Sequence, residues 1–199
     1  MDKGLRRVAV VALAVGALLG PANPAQAAET SQVEVAALPS YDTWLADVTA
    51  VAGNAERYLD ARLPAAGVRA AIVLDIDNTA LVEEYSSDPV FYPATAPILE
   101  IAQQAKADGA AVFFVTARPE IIYLWTQHNL GEVGYPIDGL YTRATFDFSS
   151  NETMKTNARI AIERRGYTIV ANIGNNTSDL NGGHAERTFK LPDYNGQLS

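Results

Sequence analysis

The chain is predicted to fold as an α/β domain built on a doubly wound parallel sheet. Three observations lead there. Short apolar runs recur at Ala70–Leu74, Ala110–Val115 and Tyr167–Ile173, and such runs suit strands buried on both faces. Between them lie stretches with helical spacing of apolar residues, and strands alternating with helices form parallel sheets. Each run also delivers polar residues to its C-terminal end, the edge at which open α/β sheets bind ligands.

Taken in order, Tyr41–Leu63 has apolar residues at 41, 44, 45, 48, 51, 52, 55, 58, 59 and 63. That spacing predicts a helix, with Ser40 or Asp42 as its cap and Trp44 and Tyr58 as core contacts. Pro64-Ala65-Ala66-Gly67 ends it and leads into the strand 70–74, which runs into Asp75-Ile76-Asp77-Asn78-Thr79. Val82–Pro97 holds acids, serines, three prolines and three aromatics without a period, and reads as an irregular flap carrying Glu83 and Glu84. Ala96–Asp108 is helical, with Ile98, Leu99, Ile101, Ala102 and Ala105 inward and Gly109 as its stop. The strand Ala110–Val115 delivers Thr116-Ala117-Arg118, and Pro119 suits the first turn of a helix over Pro119–Leu130 because it needs no N–H there.

A short strand is expected over Gly139–Thr142, then a loop over Arg143–Asn151 and a helix over Glu152–Arg165 that carries Lys155 and closes at Gly166. Tyr167–Ile173 is a strand running into Gly174-Asn175-Asn176-Thr177-Ser178-Asp179, and a last strand over Arg187–Leu191 is followed by an exposed tail. The crossovers between parallel strands are expected to be right-handed.

With 199 residues, 48% of them hydrophobic and 19% charged, the composition is that of one globular domain. Residues 1–27 have the form of a secretory signal peptide. Lys3, Arg6 and Arg7 give a positive start, Val8–Leu19 an apolar core too short for a membrane span, and Ala25-Gln26-Ala27 a cleavage site. Export with cleavage after Ala27 is expected, giving a secreted protein with no membrane attachment. Residues 28–40 then form a loose leader and 41–199 the folded domain. Cleavage removes three basic residues and one acidic, taking the net charge from −8 to −10. Such acidity disfavours nonspecific binding to nucleic acid or an anionic membrane. With no cysteine there is no disulfide, so stability rests on an ordinary core.

The chemistry concentrates at three strand ends, 75–79, 116–118 and 174–179, with Lys155 on an intervening helix. A carboxylate leaving a buried strand is costly to desolvate unless a metal, a hydrogen bond or a function compensates. Taken alone, Asp-x-Asp-x-Thr also fits a strand-to-turn transition. His128 and His184 lack the spacing of a metal pair and suit surface roles.

D-I-D-N-T-A-L resembles the first motif of the haloacid dehalogenase (HAD) superfamily of phosphohydrolases. Thr116 after its apolar strand, Lys155, and Gly174…Asp179 resemble the second, third and fourth motifs, in order, so the likeness spans roughly residues 69–191. F-F-V-T-A-R, G-N-N-T-S-D-L and R-T-F-K-L-P look most like the secreted acid phosphatase branch, which also contains plant vegetative storage proteins. The resemblance implies a HAD-like Rossmannoid fold and a Mg²⁺-dependent phosphomonoesterase acting on a small phosphate monoester. In that reading Asp75 is the nucleophile that forms an aspartyl-phosphate, and Asp77 is the general acid and base. Thr116 and Lys155 hold phosphate oxygens with the backbone around Ala117, and Arg118 either joins them or pairs with a carboxylate such as Glu152. Asp75, the Asp77 carbonyl, Asn175 and Asp179 ligate the metal.

Two departures stand out. The family has Asp where this chain has Asn175, which offers a carbonyl oxygen but no charge, so metal affinity should fall. The spacings between motifs also leave no room for the cap domain that members commonly insert. An open site is expected, unless a partner subunit of a homo-oligomer covers it. The alternative to an enzyme is a catalytically weak binding or storage protein of the same fold with a decayed metal site.

Overall fold

The computed structural model describes residues 37–65 and 67–198. The proposed signal peptide and most of the leader lie outside the described residues. The elements are α1 (Tyr41–Arg62), β1 (Ala70–Leu74), α2 (Ala96–Ala107), β2 (Ala111–Pro119), a 3₁₀ turn over Glu120–Ile122, α3 (Tyr123–Glu132), β3 (Gly139–Arg143), α4 (Asn151–Arg164), β4 (Thr168–Gly174), α5 (Thr177–Leu180) and β5 (Arg187–Lys190). The five strands form one sheet in the order β3-β2-β1-β4-β5, and every pairing is parallel.

Alternation along the strands explains why the sheet is covered on both faces. Ile72, Leu74, Val112 and Phe114 belong to one core with α1 and α2, through Trp44, Val48, Ala52, Ile98 and Ile101. Ala71, Val73, Phe113 and Val115 point the other way, into a second core closed by Ala158 and Ile162 of α4. A period of two sends successive side chains to opposite faces. β1 is therefore buried throughout, and a carboxylate at its end emerges from a dry wall.

β1 is also the centre of the winding. From it the chain passes through α2 to β2 and on to β3, then returns through α4 to β4 on the far side of β1. A crevice opens where the order reverses, above the C-terminal ends of β1, β2 and β4.

The helix caps follow local chemistry. Ser40 caps α1, accepting from the Thr43 N–H, and Ser150 caps α4 by accepting from the Thr153 N–H. As expected, Trp44 is fully buried. Tyr58 packs on Phe189 while its hydroxyl donates to Glu186.

The expectations for Pro119, for the tail and for the end of the leader need correction, while the flap is irregular as expected. Pro119 does not start a helix; it ends β2 and caps the 3₁₀ turn at φ −68°, ψ 147°. Its fixed φ suits extended backbone as well as a helical first turn, and the α-helix begins four residues later. The flap is irregular but tied down: Val82 N–H donates to the Pro93 carbonyl, Thr95 N–H to the Ala80 carbonyl, and Asn129 of α3 bonds Tyr92 through both ends of its amide. The tail after β5 is not exposed, since Leu191 and Leu198 are both buried in the main core. At the other end of the described chain, Leu38 packs on the same core and Pro39 accepts a bond from Tyr85, so the last residues of the leader are held.

Candidate functional site

The crevice holds a cleft of about 80 Å³ lined by Asp75, Asp77, Ala117, Asn151, Lys155, Asn175, Asn176, Ser178, Asp179 and Leu198. Six of these are residues singled out in the sequence, drawn from β1, β2, α4 and the β4–α5 turn.

Asp75 continues β1, its N–H donating to the Ile173 carbonyl of β4 at 3.0 Å. The residue is 5% exposed, and its carboxylate meets Lys155 Nζ at 2.6 Å through Oδ1. The same ammonium bonds Asp179 Oδ1, so one cation bridges two carboxylates from different strand ends. Burial pushes Asp75 up to about 7; Lys155 opposes the shift while Asp179 and Asp77 add to it. Burial works against the charge on Lys155, but the two carboxylates outweigh it and raise its pKa. The lysine is thus held as an ammonium in the cleft.

Asp179 is placed by its surroundings. Its Oδ2 accepts the Asn176 N–H at 2.7 Å and closes the cap of the short α5. Gly174 makes room for it: a Cβ at 174 would stand 2.5 Å from both Cβ and Oδ2 of Asp179. Arg159, buried one helical turn beyond Lys155, clamps the carbonyls of Asp179, Asn181 and Gly183. This bolt beneath the turn was missed in the sequence. The i, i+4 spacing to Lys155 was a usable signal, since it puts both side chains on one face of α4.

Thr79 ties the first motif to the fourth. Its hydroxyl accepts the Asn175 N–H at 3.1 Å and donates to Asn175 Oδ1 at 3.3 Å. The other end of the amide, Nδ2, donates to the Leu198 carbonyl. Between Asp77 and Thr79 the chain turns through Asn78 at φ 52°, a left-handed conformation that Asn tolerates better than most residues. Its Oδ1 accepts the Glu84 N–H at 2.9 Å and anchors the flap.

The second motif divides its residues. Ala117 lines the cleft. Thr116 is fully buried, its hydroxyl accepting the Arg118 N–H at 3.1 Å. Arg118 pairs with Asp77 and not with Glu152: Nε lies 2.8 Å from Asp77 Oδ1, and Nη2 bonds the same oxygen. Its guanidinium also lies 5.1 Å from the ring centre of Trp125 and 5.5 Å from that of Tyr92. Glu83 faces the same pair, and burial together with the Asp77 charge raises its pKa. The flap thus brings a third charge to the site. Glu152 instead accepts a bond from Asn181. His184 pairs with Glu163 and His128 stands near Glu132, both on the surface.

Asn151, Asn176, Ser178 and Leu198 were not foreseen as lining residues. Asn151 stands four residues before Lys155, so helical spacing was a signal for it. Leu198 had none.

Among the described residues no group of three or more His, Cys, Asp or Glu side chains is placed to hold a metal ion. What the cleft offers is hard oxygen: the carboxylates of Asp75 and Asp179 and the amide oxygen of Asn175. Oxygen donors of this kind fit Mg²⁺ and not a soft metal. Lys155 already neutralises part of their charge.

Comparison with known proteins agrees with this architecture. The family described as HAD superfamily, subfamily IIIB (Acid phosphatase) matches residues 19–197. The Stem 28 kDa glycoprotein of Glycine max is 35% identical over 106 residues, which cover 51% of this chain and 42% of that protein. The chain thus spans less than half the length of that relative. The class C acid phosphatase from Bacillus anthracis superposes with a TM-score of 0.63 at 18% identity, over 77% of this chain and 79% of that one. Its structure with tungstate bound gives 0.61 at 16% identity over the same shares. The family match covers all four motifs and nearly the whole described chain, and the sheet order and cleft position accord with it: the chain belongs to subfamily IIIB of the HAD superfamily, the acid phosphatases.

Proposed function

We propose that the protein is a secreted, Mg²⁺-dependent phosphomonoesterase that works through an aspartyl-phosphate. The observation that carries this reading is Lys155 bridging Asp75 and Asp179 at the end of the central strand. That arrangement sets a buried carboxylate beside a fixed positive charge, in a cleft that Asp77 shares with small and amide side chains and Leu198. Phosphoryl transfer asks for positioning, charge neutralisation and an in-line nucleophile more than for covalent chemistry from elsewhere.

Lys155 occupies Asp75 Oδ1, which leaves Oδ2 to attack phosphorus. The bond from phosphorus to the ester oxygen breaks, and the leaving oxygen takes its electron pair and a proton from Asp77. Water then attacks the phosphoryl group, gives its proton to Asp77, and the bond to Asp75 breaks to release inorganic phosphate. Lys155 and the backbone around Ala117 hold the phosphoryl oxygens. Mg²⁺ would be held by Asp75, the Asp77 carbonyl, Asn175 and Asp179, and would screen the nucleophile from an anionic substrate. The tungstate complex of the Bacillus anthracis enzyme supports an oxyanion site on this fold. Placement outside the cytoplasm is supported by the sequence of residues 1–27 and by the glycoprotein relative.

The test is hydrolysis of a generic aryl phosphate with Mg²⁺ and with chelator. Turnover that needs Mg²⁺ and is abolished by Asp75→Asn with the fold intact supports the reading. A radiolabelled phosphoryl group should be trapped on the wild type and not on the variant. Full activity of Asp75→Asn would refute it. One observation favours the catalytically weak alternative: the Asn175 amide brings no charge and is bonded at both ends. Absence of turnover at saturating Mg²⁺ would select that reading.

A further inference from the structure

The segment after β5 is built into the cleft. Leu191 N–H donates to the Gly174 carbonyl at 2.9 Å, and the chain then leaves the sheet and comes back. Asp193 accepts Lys190 at 3.0 Å through its side chain and the Leu198 N–H at 3.2 Å through its carbonyl. The Tyr194 hydroxyl donates to Asp47 of α1 at 2.8 Å. Tyr194, Asn195 and Gly196 have φ of 48°, 61° and 83°. Two consecutive non-glycine residues in the left-handed region persist only where their surroundings over-determine them. The segment ends with Leu198, 1% exposed and part of the cleft wall.

Its last anchor is the fourth motif itself, where Asn175 Nδ2 donates to the Leu198 carbonyl. A carbonyl oxygen can only accept, so the side chain facing it must carry a hydrogen. An ionised Asp at 175 would set two acceptors against each other there. The same bond settles the orientation of the amide: its nitrogen faces the returning segment and its oxygen faces Thr79. The departure from the family's Asp thus has a structural counterpart in this chain.

We propose that residues 192–198 are a strap closing the fourth-motif side of the cleft, that Asn175 is its latch, and that the strap does in part what a cap domain would do, excluding bulky phosphate monoesters. The exclusion rests on the phosphatase reading; the latch does not. Asn175 acts here as a positioning residue for the strap.

Hydrogen exchange on the intact protein tests the latch. In Asn175→Asp and Asn175→Ala, the Leu198 amide and its neighbours should exchange about tenfold faster or more, while β1 and β4 amides keep their rates. Tyr194→Phe releases the strap at its far end, away from the metal and phosphate residues, and should speed the same amides. It should also raise kcat/KM for a bulky aryl phosphate relative to a small alkyl phosphate by about threefold. Unchanged strap exchange in both Asn175 variants overturns the latch, and an unchanged substrate ratio in Tyr194→Phe overturns the exclusion. If the wild type turns over no phosphate ester, the phosphatase reading fails, and the exchange data still decide the latch.

Discussion

Arg118 holds Asp77 by two nitrogens on one carboxylate oxygen, Oδ1, with Nε at 2.8 Å. The guanidinium is 7% exposed and lies beside the rings of Trp125 and Tyr92, so the pair is fixed from behind. Its charge is already committed to Asp77 and only secondarily available to a phosphate.

Arg118→Gln is therefore expected to act through Asp77. Loss of the clamp frees the acid to leave its working position, and kcat should fall by about tenfold to a hundredfold, part of the roughly hundredfold or more that an acid–base group contributes. The inhibition constant of inorganic phosphate should stay near the wild-type value. A large rise in that constant, with kcat preserved, would place Arg118 among the phosphate ligands instead. Arg118→Lys should recover little, because one ammonium cannot reproduce a two-nitrogen contact.

Gly174→Ala is expected to damage the site from the backbone. The added methyl would stand 2.5 Å from Cβ and Oδ2 of Asp179, too near for either atom to remain. Moving Asp179 breaks its bonds to Lys155 and to the Asn176 N–H. Overpacking of this kind costs about 1–3 kcal/mol. Urea unfolding should show that loss, with activity falling further than stability alone explains. Wild-type behaviour would mean the turn has slack that the geometry does not show.

Much of this was legible in one dimension. The apolar run 70–74 flanked by helical periods located the central strand, and the polar strand ends located Asp75, Asp77, Lys155 and Asp179. What escaped was decided by contacts distant in sequence. Residues 192–198 are mostly polar and read as an exposed tail, yet Asp47 and Asn175 draw the segment inward. Arg118 lies 41 residues from its partner, so spacing could not choose Asp77 over Glu152. Arg159 shares a helix face with Lys155, but its role depends on three carbonyls 20 to 24 residues away, which spacing alone does not bring together. Pro119 was ambiguous in principle, its φ serving strand end and helix start alike.

Asn175→Asp should also change the metal dependence. Mg²⁺ releases water reluctantly, and anionic oxygens compensate better than amide carbonyls. The variant would offer three carboxylates where Asp75 and Asp179 now offer two, so the Mg²⁺ midpoint for activity should fall. The gain should shrink at saturating Mg²⁺, where added negative charge repels substrate. Asp179→Asn should raise the midpoint. An identical midpoint in Asn175→Asp would mean that residue 175 serves the strap and does not reach the ion.

Acid stability should depend on Asp138, at the start of β3. Burial acts to raise its pKa, but bonds from Lys106 and from the Val112 N–H outweigh it, and the net shift is downward from the ordinary 3.8. Lys106 Nζ lies 2.6 and 2.8 Å from the two carboxylate oxygens, and the Val112 N–H lies 2.9 Å from Oδ2. A carboxyl group more acidic when folded than when unfolded favours the folded state wherever it is ionised. Its contribution is therefore complete above the unfolded pKa, near 4, and is lost as pH falls through the lower folded value. Lys106 is about half exposed and Asp138 a quarter, so screening limits the ion pair to roughly 1 kcal/mol or less. In Asp138→Asn the amide oxygen can still accept the Val112 N–H, while the attraction to Lys106 is gone. Urea midpoints should then fall slightly at neutral pH, and the variant and wild type should converge as pH falls through the folded Asp138 value, below the ordinary 3.8. Curves that stay parallel down to pH 2 would show that Asp138 gains nothing from its charge.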